Sequence, residues 1–455
     1  MGHLFDCFVV HNAIIGWYMK WRSLAEEIFL AGVERVLPGK LIAEAMHLDE
    51  DQLFLGDLSF SLKSVNNIYV IGAGKATALM ASEAEKILDD RITDGFISVK
   101  YGHGCKLEYI KTAECGHPIP DRNGFAATAN IIELAGKAEI NDLVISLFSG
   151  GGSALLADFP EGSSADEIIR LNGIMVNCGA SIDEINTVRK HLSSVKGGGL
   201  ARAIYPASLV SLILSDVPGD QPEVIASGPV SPDPTTFSDA FRVIEKYDLT
   251  EIVPFGIIKY LKNGIAGLIA ETPKPGDKVF DKAFSRVIGN NRMALNAAAT
   301  KASDLGFNTE VINELLLSDV AEAAQYVFDA ALTKKADKDS KPVCLIFGGE
   351  TSVKMTGNGL GGRNQHLALL IASKLQNNVG ITILAAGTDG SDGPTDAAGA
   401  VVDSDTMSEA LIRGMDIGKY ISDFNSYNFF KETGGHIITG PTLTNVMDII
   451  VVLIW

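Results

Sequence analysis

Two segments join glycine runs to a cation: Val70-Ile71-Gly72-Ala73-Gly74-Lys75-Ala76 and Gly359-Leu360-Gly361-Gly362-Arg363-Asn364-Gln365. Glycine lets backbone N–H groups come close to an anion, and a helix N-terminus adds about +0.5 of an elementary charge there. A lysine or arginine beside such a loop is placed to neutralise phosphate oxygens. Gly72, Gly74, Gly361 and Gly362 are therefore read as phosphate-cradling positions, with Lys75 and Arg363 as the reacting cations. The chemistry these loops imply is phosphoryl transfer. Neither of two familiar nucleotide loops fits the first segment. Thr77 stands where a dinucleotide fingerprint needs its third glycine, and the next strand runs into Lys100-Tyr101-Gly102 with no acid for a ribose diol. A Walker A loop needs four residues between its glycine and the Gly-Lys pair, and Ser or Thr after the lysine.

Ser149-Gly150-Gly151-Gly152-Ser153 follows a strand and offers backbone donors plus two hydroxyls for a phosphate or carboxylate. Asn186-Thr187-Val188-Arg189-Lys190-His191 and Lys196 form the densest cationic stretch of the chain. Arg189, His191 and Lys196 either bind a substrate carboxylate or belong to a solvated helix face. Asp216 and Asp220 end one strand, and Asp389, Asp392 and Asp396 follow another. Magnesium is commonly held by one or two carboxylates plus substrate phosphates, so Asp216 and Asp389 are candidate metal ligands, against the alternative that Asp stabilises turns. The second loop is no EF-hand, since Pro394 and Ala400 occupy the positions that require Gly and Glu. Glu350, after Gly348-Gly349, faces the same rim. His117 reads as a turn residue, and the absence of a Gly-x-Ser-x-Gly elbow leaves a hydrolase triad without an anchor.

These loops need strands to present them. Asn67–Gly72, Gly95–Val99, Asp142–Phe148, Leu209–Leu214, Arg286–Gly289, Asn308–Ile312, Val343–Phe347, Gly380–Ala385 and Ile449–Ile454 read as strands alternating with helices, which implies two α/β domains with largely parallel sheets, the first Rossmann-like. Glu271–Asp277, rich in Pro and Gly, reads as the linker. The division is 1–18 as an extension outside the core, 19–272 as the N-terminal domain and 277–455 as the C-terminal domain, with the active-site cleft between them. The chain has 455 residues, enough for two cores, and a formal charge of −18. That charge argues against nucleic acid and anionic membranes as partners. Five scattered cysteines without a C-x-x-C pair fit a reducing cytoplasm, and no apolar run reaches the roughly 18 residues that span a bilayer.

Seven segments in fixed order resemble the glycerate kinases that yield 2-phosphoglycerate: Gly72–Ala76, Ser149–Leu156, Thr187–Ser193, Ser215–Asp220, Ile225–Pro229, Gly361–Gln365 and Gly387–Gly390. The likeness covers residues 22–454, and its C-terminal part resembles the domain known for a leucine-rich stretch, here Leu367–Leu370. It implies ATP-dependent phosphorylation of D-glycerate with Mg²⁺, Lys75 and Arg363 acting in catalysis. His366 departs from the glutamate usual in that family. The rivals are a nicotinamide-dependent hydroxy-acid oxidoreductase, suggested by the first loop alone, and a non-catalytic sensor of sugar acids or phosphates. The sequence leaves oligomeric state open, a homo-oligomer included.

Overall fold

A computed structural model describes residues 20–337, 341–354, 357–376 and 378–455; the expected extension 1–18 lies outside them. The described residues form two compact units, 38–289 and 20–37 with 290–455.

In the unit of residues 38–289, β1 (Met46–Asp49), β2 (Gln52–Leu55) and β3 (Leu58–Ser61) form an antiparallel meander. Six further strands build an all-parallel sheet: β4 (Ile68–Ala73), β5 (Ile92–Lys100), β6 (Ile110–Cys115), β7 (Leu143–Phe148), β8 (Ser208–Leu214) and β9 (Ala283–Gly289). Their order is β6-β5-β4-β7-β8-β9. Every residue of β4 and β7 is buried, which is why both read as unbroken apolar runs. Chain order reverses between these two strands, and in open α/β sheets ligands bind at such a switch point, beyond the carboxyl ends of the strands. Four helices, Ala165–Asn177, Ile182–His191, Phe237–Lys246 and Phe255–Ile265, share a separate core of Ile168, Leu171, Val188, Phe237 and Leu261. Reciprocal caps start three of them: Ser164 with Glu167, Ser181 with Glu184 and Thr236 with Asp239.

The Glu271–Asp277 segment lies inside this unit and not at its edge. Asp233 N donates to Pro273 O at 2.9 Å, Thr272 Oγ1 donates to Asp233 at 3.0 Å, and the chain then enters β9. Proline and glycine mark a turn there, and the division between units falls at 289/290.

The other unit holds β10 (Asn308–Val311), β11 (Val343–Gly349), β12 (Ile381–Gly387), β13 (Gly399–Asp403), β14 (His436–Ile437) and β15 (Asp448–Ile454), in the order β10-β11-β15-β12-β13-β14. Here only β10 and β11 pair in parallel; β15 runs antiparallel between β11 and β12. The α/β class holds, but this sheet is mixed. An apolar strand buried on both faces looks the same in either direction, so sequence could place β15 without orienting it. A helix over residues 20–35 belongs with this unit as well: Arg22 forks onto buried Asp403 at 2.6 and 2.8 Å, and Trp21 stacks on Trp455 at 4.4 Å. That is why a division of the chain into two consecutive stretches fails.

Candidate functional site

At the switch point the loops after β4 and β7 are built into each other. Lys75 N donates to Gly150 O at 2.9 Å, and Ala76 N, at the start of helix Thr77–Leu88, donates to Ser149 Oγ at 3.0 Å. Gly74 has φ +147°, and a Cβ there would stand 2.1 Å from Ser149 Oγ. Gly72 sits equally tight under Leu147 O. Gly72, Gly74 and Ser149 thus serve the approach of one loop to the other. Ser149 is a helix cap, and its hydroxyl takes the backbone donor that sequence reading reserved for a phosphate.

Beyond this junction opens a pocket of about 520 Å³. Gly151 and Ser153 line it, whereas Gly152 is buried against Ala226, which would lie 2.7 Å from its Cβ. Ser153 Oγ lies 2.7 Å from Ser227 Oγ, which donates to Asn186 Oδ1 at 3.0 Å. Ala226 and Ser227 hold φ of +51° and +62°, a conformation that costs non-glycine residues about 1–3 kcal/mol and clusters at functional sites. The Lys75 side chain reaches the Gly151 edge, its Cγ 3.4 Å from where a Gly151 Cβ would be, and the His117 imidazole closes on the same point. Burial pushes His117 down to about 4, followed by the charges of Lys75, Lys100 and His103, so it is neutral at pH 7.

The polar floor lies across the pocket. Arg189 Nε donates to Asn172 Oδ1 at 2.9 Å, and no carboxylate pairs with the guanidinium among the described residues; burial lowers its pKa. Lys196 is 5% exposed and donates to Leu156 O. Burial brings it down to about 8, with Asp158 opposing and Arg189 adding to the fall. Asp158 in turn accepts from Ser193 Oγ at 2.5 Å and from Ser194 N and Oγ at 2.6 and 2.7 Å. This part of the lining therefore carries two cationic side chains against one carboxylate, itself taken up by Ser193 and Ser194.

Not every residue of the cationic stretch reaches this floor. His191 is buried elsewhere, its Nδ1 2.8 Å from Thr187 O, its Nε2 3.2 Å from Glu271, and its ring edge-on to Phe237. It packs the helical core and is no ligand for a substrate in the pocket. Asp216 is half-buried just past β8.

The second glycine loop has a different arrangement. Gly362 begins helix Arg363–Leu375, but Asp392 already occupies the helix N-terminus. Its carboxylate accepts from Asn364 N at 3.1 Å, Gln365 N at 2.8 Å and Gln365 Nε2 at 3.1 Å. A Cβ on Gly362 would fall 2.3 Å from Asp392, and one on Gly361 2.2 Å from Ser426 Oγ. These glycines admit the protein's own side chains to the place expected for phosphate. Burial raises Asp392 to about 6, so it is an anion at neutral pH. Arg363 forks onto Asp448 at 2.6 and 2.8 Å, and its Nη1 lies 3.2 Å from Glu350. Burial works against its charge, but Asp448 and then Glu350 hold its pKa above the ordinary arginine value. Asp389 Oδ1 accepts from Ser391 N at 3.1 Å, the turn-stabilising arrangement. His366 stacks on Phe424 at 4.3 Å and is pushed down to about 4 by burial.

Asp158, Asn172 and Asp448 escaped the sequence reading. Asp158 and Asn172 are single polar residues in stretches without a pattern. Asp448 is the one charged residue of the otherwise apolar strand β15, which was the available signal.

A family model described as a domain of unknown function (DUF4147) matches residues 24–262, and the MOFRL family model matches residues 343–448. D-glycerate 2-kinase of Thermotoga maritima is 40% identical over 95% of this chain and 98% of its own. The chain belongs to the glycerate 2-kinase family. Glycerate 2-kinase of Pyrococcus horikoshii is 38% identical, over 96% of this chain and 98% of its own. A relative from Agrobacterium vitis with a provisional hydroxypyruvate reductase name is 38% identical over 85% of this chain and 86% of its own. The crystal structure of the Thermotoga maritima glycerate kinase superposes with a TM-score of 0.84 at 39% identity, covering 96% of this chain and all of that one. The α/β fold described above is thus shared with that glycerate kinase.

Proposed function

We propose that this protein transfers the terminal phosphoryl group of ATP to the 2-hydroxyl of D-glycerate, giving 2-phosphoglycerate and ADP, with Mg²⁺ assisting. The observation that carries this reading is one pocket that gathers Arg189 and Lys196 with Gly151 and Ser153, the Lys75 side chain reaching the Gly151 edge. A 2-hydroxy acid whose carboxylate rests on Arg189 and Lys196 presents its hydroxyl toward Lys75. Phosphoryl transfer asks little covalent chemistry of a protein; it needs positioning and neutralisation of charge on the transferring group. Lys75 and Arg363 are the cations assigned to that charge.

No group of three or more His, Cys, Asp or Glu that could hold a metal occurs among the described residues. Magnesium needs only one or two protein carboxylates when phosphates supply the rest, and Asp216 or Asp389 is the carboxylate proposed to hold it. Bound there, the ion would neutralise phosphate charge. The same two carboxylates are the acceptors proposed for the hydroxyl proton.

The oxidoreductase reading gains from the strand order, which is that of dinucleotide-binding sheets. It loses at the loop itself. Thr77 fills the third-glycine position, its methyl 2.8 Å from where a Gly72 Cβ would be, and Lys100 ends β5 where a ribose diol wants an acid. A coupled ADP-release assay over a panel of hydroxy acids, with product regiochemistry read by phosphorus NMR, tests the proposal. ADP release with D-glycerate and a 2-phosphate ester support it. NADH oxidation with hydroxypyruvate and no ADP release would replace it.

A further inference from the structure

The pocket is larger than a three-carbon acid needs and lies in the size range of drug-like ligands. Much of its lining is aliphatic. Pro118, Ile119 and Pro120 line it, and so does helix Ala165–Asn177 through Ile168, Ile169, Leu171 and Val176. Glycerate has an oxygen on every carbon and gains nothing from such walls. Of the reactants in the proposed transfer, only the base of the nucleotide has extended apolar faces.

The helix wall has a second peculiarity. Ile169, Asn172, Gly173 and Val176 all line the pocket and follow the i, i+3, i+4, i+7 spacing of one helix face. Gly173 stands near the middle of that face, inside the helix, where glycine is among the least favourable residues. Nothing in the protein requires it: a Cβ built there meets no atom within 4 Å. The helix thus keeps an empty space on its pocket side. Ile119 and Val176, at 65% and 62% exposed, are apolar side chains left uncovered in the lining. Asn177 supplies an amide group on the same helix, and an asparagine amide matches the donor–acceptor edge of adenine; the Asn172 oxygen is taken by Arg189.

We infer that the aliphatic half of this pocket seats the purine nucleoside of the phosphate donor, its ring lying over Gly173 between Ile119 and Val176. The inference rests on the phosphotransfer reading and deepens it. The phosphates then extend from the base toward Gly151 and Lys75, and Arg189 and Lys196 remain for the acceptor.

Gly173→Leu tests this, because leucine favours the helix while filling the seat. Isothermal titration with ADP and Mg²⁺ should show affinity reduced at least tenfold against the parent, with the KM for D-glycerate within about threefold and a thermal midpoint no lower. Gly173→Ala, which adds one methyl, should weaken ADP by a few-fold and raise the midpoint. Unchanged ADP affinity in Gly173→Leu would overturn the inference. So would a rise in the KM for glycerate with ADP binding intact, which would give the aliphatic half to the acid. A parent protein that binds no ADP would overturn the phosphotransfer reading itself, and this seat with it.

Discussion

The two glycine-and-cation loops share a sequence signature and differ in what the glycines admit. At Gly359–Arg363 they admit the protein itself: Asp392 caps the helix, Ser426 abuts Gly361, and Arg363 is held by Asp448 and Glu350. At Gly72–Lys75 the two glycines also serve chain contacts, Gly72 with Leu147 and Gly74 with Ser149. The neighbouring Gly151 instead opens onto a pocket with Lys75 beside it and a partly buried Arg189 across the floor. A glycine run before a cation therefore signals close approach, and only the fold decides whether a ligand or a side chain does the approaching. The first loop brings its cation beside Gly151, which lines the pocket. The other delivers a cation already braced by carboxylates.

The largest expected effect separates these two cations. Lys75→Ala should lower kcat by about 10²–10³, the usual cost of removing charge from a developing transition state, without moving the thermal midpoint. Arg363→Ala should lower both, because it strands buried Asp448 without its partner, at a cost of about 3–5 kcal/mol. Arg363→Lys should remain impaired, since an ammonium cannot reproduce the two-pronged contact. Equal midpoints for Lys75→Ala and Arg363→Ala would dissolve the contrast.

A smaller effect compares the two helix caps by thermal denaturation. Asp392→Ala leaves buried backbone donors at Asn364 and Gln365 without acceptors and should cost about 1–3 kcal/mol. Ser149→Ala removes a single hydroxyl cap and should cost about 1 kcal/mol. A larger loss from Ser149→Ala would mean that the β4–β7 junction, and not the Asp392 cap, is the more demanding of the two.

Much of the fold was legible in the residues because strands buried on both faces are continuous apolar runs ending in turn-rich loops: β4, β7, β8, β11 and β12 all announce themselves in this way. The direction of β15 and the place of the 20–35 helix were not legible, since both depend on which distant surfaces meet. At the candidate site, Lys75 could be read from its glycine loop, and Arg189 and Lys196 from charge density in an acidic chain. His191 came with the same stretch and proved to be core, because a helix sends successive residues to different faces and the stretch alone does not say which face is wet. Gly173 is an exposed glycine in a helix, a signal visible in sequence only once the helix and the pocket beside it are known.

The most direct test of the central claim, that the pocket at the switch point receives the acid on Arg189 and Lys196, is the KM for D-glycerate measured from pH 6 to 9.5 in the parent and in Arg189→Gln, with ATP saturating. The Lys196 ammonium is charged below pH about 8 and lost above it, so an anion held there binds well at low pH and progressively worse as pH rises. The parent KM should be flat to about pH 8 and then climb. Arg189→Gln should raise it about 10–100-fold at every pH, as expected for losing a hydrogen bond to a charged group. A KM that is flat across the range and unchanged in Arg189→Gln would place the acid elsewhere.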